Sequence, residues 1–150
     1  MSYTKVLYHI VFRTKHSLPA ISEEHEQALY AYIWGFLKHR SCFLYRIGGM
    51  PDHLNILVQV PVTEYLPDLI RDMKTATNRF ISDNHDKFPM FGGWGKSYCA
   101  LSVSYGERQH IINYIKGQKE HHRKVSLIDE LTRIFHEHDI EYNASHLLKE

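Results

Sequence analysis

Apolar and polar positions along the chain mark out strands and helices in alternation. The run YTKVLYHIVFRT at 3–14 is β-rich and almost continuously apolar, which predicts a central strand buried on both faces. Ser22 precedes an acidic first turn (Glu23, Glu24, Glu26), and Leu29, Ile33, Phe36 and Leu37 recur at helical spacing. A helix capped by Ser22 is therefore expected. Residues 42–47 read as a second strand, Gly48-Gly49-Met50-Pro51-Asp52 as a turn and 53–60 as a third strand, so the two strands form a hairpin. A second helix is expected at about 67–81, with Leu66, Leu69, Ile70, Met73, Thr77, Phe80 and Ile81 on one side and Arg71, Lys74, Thr75 and Asn78 on the other. A glycine-rich loop at 88–96, a fourth strand at 98–104 and a third helix at about 107–122 follow. Ser126-x-x-Asp129 resembles a capping box for a last helix bearing Leu127, Ile128, Leu131, Ile134 and Phe135. The order βαββαβ plus helices predicts an α+β, ferredoxin-like split-βαβ fold, with an antiparallel four-stranded sheet and extra C-terminal helices. That architecture hosts many activities, so function has to be read from particular residues.

Composition narrows the picture without deciding it. A chain of 150 residues, 43% hydrophobic and 23% charged, suits one globular domain over 1–150. It carries no run of roughly 20 apolar residues such as a membrane helix needs. Its start lacks a charged segment leading into an apolar one, so the expectation is a cytoplasmic protein with no membrane partner. Cys42 and Cys99 fit no metal or redox spacing and read as small buried thiols. A formal net charge of +1 means that phosphate binding must come from a local patch. Twelve histidines are the anomaly, and only spacing can make one of them informative.

In the third strand, alternation puts Leu54, Ile56, Val58 and Val60 on one face and His53, Asn55, Leu57 and Gln59 on the other. His53 and Asn55 then stand roughly 7 Å apart, close enough to reach one cation. In the third helix Tyr114 and Gln118 share a face one turn apart. Ile111 and Ile115 form the strip that docks this helix on the sheet. Gly117, about 1 kcal/mol worse than alanine in a helix, signals close approach by another group or a bend after Tyr114. His9 faces either this pocket or the core. His121 and His122 read as a solvated helix end, with support of the metal ligands or DNA contact the alternatives. Phe91-Gly92-Gly93-Trp94-Gly95 lacks the lysine-serine/threonine ending of a phosphate loop and reads as a flexible loop whose Trp94 could touch a nucleotide. Tyr8 and Tyr98 could stack bases on the sheet, but no aromatic ribonucleoprotein signature accompanies them.

Two segments carry a resemblance. Pro51-Asp52-His53-Leu54-Asn55-Ile56-Leu57-Val58 resembles the strand motif of the HUH-type single-tyrosine transposases of insertion sequences of the 200/605 type, and Tyr114-Ile115-Lys116-Gly117-Gln118-Lys119-Glu120-His121-His122 is similar to that family's catalytic helix. Leu7 to Lys15, Gly48-Gly49-Met50 and the tail from His121 to Tyr142 resemble it as well, in order and with compatible spacing. The resemblance implies a metal-assisted DNA transposase that cleaves and rejoins single-stranded, hairpin-flanked DNA through a 5′-phosphotyrosine. Tyr114 would be the nucleophile and His53, Asn55 and Gln118 the ligands of Mg²⁺ or Mn²⁺. The second strand histidine of the family falls on Asn55, whose carbonyl oxygen suits hard ions better than soft ones. A catalytically impaired, domesticated hairpin-binding protein is thus the alternative. The resemblance also implies a homodimer in which each catalytic helix serves the partner's site. Arg71, Lys74 and Asn78, then Lys116 and Arg123, are the candidate DNA contacts.

Overall fold

The computed structural model describes residues 2–149, with the side chain of Lys149 left out. Four strands, β1 (Leu7–Arg13), β2 (Phe43–Met50), β3 (His53–Gln59) and β4 (Cys99–Val103), form one sheet in the order β2-β3-β1-β4. Every neighbouring pair is antiparallel. Helices α1 (Glu26–His39) and α2 (Leu66–Asp83) complete the expected split-βαβ arrangement. Four more follow the sheet: α3 (Arg108–Lys116), α4 (Gln118–His121), α5 (Leu127–Glu137) and α6 (Ala144–Lys149).

The two faces of the sheet are built differently. One carries the main core, in which Ile10, Phe12, Leu54, Ile56 and Val58 meet Leu29, Ile33 and Leu37 of α1 and Leu69, Ile70 and Met73 of α2. The alternation read in the third strand is thus observed, and β1 is the central, doubly buried strand. The opposite face has two small apolar patches. Leu7 and Leu57 hold Ile115 of α3, while Val11, Cys99 and Leu101 hold Leu127, Leu131 and Ile134 of α5. Between those patches the sheet presents His9, His53 and Asn55, all buried.

Several boundaries differ from expectation for identifiable reasons. Gly48 and Gly49 belong to β2, not to the turn, which shrinks to Pro51 and Asp52. A Cβ on Gly48 would lie 3.0 Å from Cγ2 and 3.1 Å from the carbonyl oxygen of Ile115, and one on Gly49 would overlap the His53 carbonyl. Gly48 lets α3 rest directly on the strand backbone, and Gly49 lets β2 close against the start of β3. The single helix expected over 107–122 breaks at Gly117, whose backbone leaves the helical region (φ −86°, ψ 6°). Helix α1 starts at Glu26 without a side-chain cap, and the Ser22 hydroxyl is buried without a hydrogen bond, so Ser22 is not its cap. Ser126 is a cap, accepting the backbone N–H of Asp129. Trp94 is not a nucleotide platform: it is buried, packs edge-on against Phe12 and Phe91, and donates its indole N–H to Thr77 at 2.8 Å. Cys42 and Cys99 are free buried thiols, pushed up to about 11 by burial. Among the described residues no helix is long and apolar enough to cross a membrane.

Candidate active site

The polar face of β3 and the break between α3 and α4 meet in the gap between the two apolar patches. Gln118, the first residue of α4, is 1% exposed, and His53 and Asn55 are fully buried. The Gln118 Oε1 atom lies 2.9 Å from His53 Nε2 and accepts a hydrogen bond of 2.9 Å from the Asn55 amide. The Asn55 oxygen accepts from His9 Nε2 at 2.8 Å. His9 therefore joins the cluster instead of the core, at the cost of a lowered pKa: burial disfavours its charge more than the Asn55 hydrogen bond favours it. Asp52 holds the other side of His53, its carboxylate 2.7 Å from Nδ1.

Tyr114 enters from the last turn of α3. Its ring lies edge-on to His9, with centroids 5.8 Å apart, and tilted against His121 at the same separation. Its hydroxyl is buried and has no well-aligned hydrogen bond, yet Glu130 and Gln118 stand near enough to govern its titration. Burial, and then Glu130, push the phenol well above its ordinary value, while Gln118 works the other way. A cleft of about 200 Å³ between α3 and α5 reaches this ring, lined by His9, Ser102, His110, Tyr114 and Arg133 among others.

The helix break is pinned from outside the cluster. Lys119 donates to the Gly49 carbonyl and to Glu26 of α1, each at 2.8 Å, and Tyr30 donates to the same Glu26 oxygen. Nothing in the local sequence pattern announced this tie, because its partners are 93 and 70 residues away.

Helix α5 supplies what the sequence reading missed. Glu130 is fully buried beneath the cluster, and one of its oxygens lies 2.8 Å from His121 Nε2 and 2.7 Å from His122 Nε2. His122 is not a solvated helix end: its side chain is 5% exposed and its ring meets that of His53 edge-on at 4.6 Å. Burial opposes charge on both partners, but their attraction prevails. Glu130 is held down at about 2, and His122 is raised. A glutamate among Leu127, Leu131 and Ile134 on the apolar stripe of α5 was the available signal.

The donors suit a divalent cation. With Nδ1 of His53 engaged by Asp52, Nε2 faces the Gln118 oxygen across a distance typical of neighbouring metal ligands, while the Gln118 amide nitrogen is buried without a partner. Of the candidate DNA contacts, Lys74 donates to the carbonyls of Gly95 and Ser97, Arg71 pairs with Asp68 and Asp72, and Arg123 pairs with Glu120. Asn78 lines a separate pocket with Lys15, Lys96 and Trp94, and Lys116 is exposed. They do not form one patch around Tyr114.

Comparison with known proteins gives the family and the fold. Residues 2–118 match the family described as "Transposase IS200 like". The chain belongs to that family. It is 26% identical over 117 residues to the ISDra2 transposase TnpA of Deinococcus radiodurans, covering 75% of this chain and 84% of that protein. A crystal structure from Deinococcus radiodurans R1, assigned as a transposase, superposes with a TM-score of 0.61 at 29% identity, over 78% of this chain and 93% of the other. The fold is also that of a REP-associated tyrosine transposase bound to a REP hairpin (TM-score 0.62, 13% identity, 83% and 73% covered). The family match ends at Gln118, so His121, His122 and Glu130 lie beyond it.

Proposed function

We propose that this transposase-family chain, as one domain, cleaves and rejoins single-stranded DNA beside a hairpin, with Tyr114 as nucleophile. The observation that carries the reading is the 2.9 Å contact between His53 Nε2 and Gln118 Oε1, which joins the strand motif to the helix motif with Tyr114 one turn away. Attack by the Tyr114 oxygen on phosphorus breaks the bond to the 3′ oxygen. The phenolic proton is made up at that leaving 3′ hydroxyl, and the phosphodiester energy is conserved in the 5′-phosphotyrosine. Ionising an unperturbed tyrosine at pH 7 costs roughly 4 kcal/mol, and burial of Tyr114 raises that cost. His53, Asn55 and Gln118 would hold Mg²⁺ or Mn²⁺, which would supply Lewis-acid polarisation of the phosphate. His53 is oriented by Asp52, and Asn55 ties Gln118 to His9, so the donors are set before DNA arrives.

A hairpin ligand is supported by the like-folded transposase that binds a REP hairpin. Lys116 and Arg123 remain proposed phosphate contacts, with Arg71, Lys74 and Asn78 more remote. A homodimer in which each α3 serves the partner's site is part of the proposal; within one chain, α3 and α4 dock on their own sheet. The test is incubation of purified protein with single-stranded hairpin DNA and Mg²⁺ or Mn²⁺, followed by denaturing electrophoresis. A covalent protein–DNA adduct is expected, lost in Tyr114→Phe with hairpin binding retained. An adduct that survives in Tyr114→Phe refutes the assignment. The second reading, a hairpin-binding protein without catalysis, is favoured by the orientation of Asn55, whose oxygen serves His9. It is supported if no metal yields an adduct and Asn55→His restores one.

A further inference from the structure

Electron pairs accumulate beside His53 beyond what its strand and Gln118 account for. The Val125 carbonyl can only accept, so His122 Nδ1, at 2.7 Å, must carry the ring's proton. In a neutral His122 the lone pair then sits on Nε2, 2.7 Å from a Glu130 carboxylate oxygen. His53 is arranged alike: Nδ1 faces Asp52, and Nε2 faces the Gln118 oxygen. His122 Nε2 and both Glu130 oxygens are buried and make no hydrogen bond of acceptable geometry. One ring nitrogen of His53, one of His122 and a Glu130 oxygen lie within 4.8 Å of one another. Buried lone pairs turned on each other need a positive charge between them, either a proton or a metal ion.

From this convergence we infer that His122 and Glu130 complete the metal site of the chain, joining His53 and Gln118 to form a two-imidazole, one-carboxylate centre. The inference rests on the proposed metal-assisted reading and deepens it. Both imidazoles have their far nitrogens anchored by oxygens, the arrangement that fixes a metal-binding histidine. Glu130 supplies the charge that an asparagine at 55 does not. Two imidazoles and a carboxylate favour borderline Zn²⁺, and to a smaller degree the hard ion Mn²⁺, over Mg²⁺.

The test titrates Mn²⁺ into metal-free full-length protein, read by calorimetry and by electron paramagnetic resonance without DNA. Wild type is expected to bind one Mn²⁺ with nitrogen couplings from two imidazoles, and at least tenfold more tightly than Mg²⁺. Glu130→Gln and His122→Ala are each expected to weaken Mn²⁺ binding at least tenfold, with circular dichroism confirming the fold. The nitrogen count needs no variant, so a misfolded mutant does not remove the test. A single imidazole coupling, unchanged affinity in Glu130→Gln, or no binding at millimolar Mn²⁺ overturns the inference. Adduct formation by wild type is scored separately. An adduct together with one imidazole leaves the transposase reading standing and removes only the α5 ligands. Two imidazoles without any adduct does the reverse.

Discussion

Replacing Gly48 by alanine should move α3, which carries Tyr114, without touching any side chain of the proposed site. The added methyl would sit 3.0 Å from Ile115 Cγ2 and 3.1 Å from the Ile115 carbonyl oxygen. Packed carbon atoms stand at about 3.5–4.0 Å, so α3 has to retreat by roughly half an ångström. Overpacking of this kind costs about 1–3 kcal/mol. Taking about 2 kcal/mol, a chain of this length loses about 4–8 °C in Tm. Tyr114 lies one residue from Ile115 and moves with it. Since a misplacement of about 1 Å can cost on the order of 100-fold in rate, half of that predicts about a tenfold slower adduct. The assay pairs a thermal melt with the rate of adduct formation on a hairpin substrate. Gly35→Ala is the control: exposed in α1 with nothing within 4 Å of the new methyl, it should stabilise by about 1 kcal/mol and leave the rate unchanged. If Gly48→Ala keeps both Tm and rate at wild-type values, the direct seating of α3 on β2 is wrong.

Other consequences are simpler to state. Lys119→Met removes both anchors of the helix break and leaves Glu26 without its ion pair. A loss of about 1–2 kcal/mol in urea unfolding is expected, with a slower adduct rate. Trp94→Phe orphans a lone pair on the buried Thr77 hydroxyl and should cost about 1–3 kcal/mol while hairpin affinity stays unchanged; a fall in affinity without loss of stability would return Trp94 to the DNA surface. The thiols of Cys42 and Cys99 titrate near 11 in the folded chain against an ordinary 9.0, so the folded state holds more protons between those values. Stability therefore falls as pH rises through that window, and Cys99→Val should flatten part of the decline in melts from pH 8 to 11.

The sequence pattern was most legible where periodicity is local. The alternating faces of β3, the stripes of α1 and α2 and the Ser126 cap all depend on neighbours a few residues apart, and each is found in the fold. His53, Asn55, Tyr114 and Gln118 were visible because two motifs agreed in order, and the fold unites them. What escaped depends on chain crossings. Gly48 looks like a turn residue until a helix that starts 60 residues later is laid across it. Helix α6 was not foreseen. Glu130 was passed over because an acidic residue in an amphipathic helix is ordinarily solvated, whereas this one points inward beside two histidines.

The cleft leading to Tyr114 is narrow, and that narrowness sets a condition on any strand that uses it. At about 200 Å³ it is smaller than the roughly 300 Å³ at which ligand pockets begin, room for a phosphate but not for a base and sugar as well. The α3 wall bears on strand backbone, while the α5 wall is held by three buried apolar side chains. Amide protons of α5 should therefore exchange with solvent ahead of those in the sheet, and DNA bound near Tyr114 should change their exchange first.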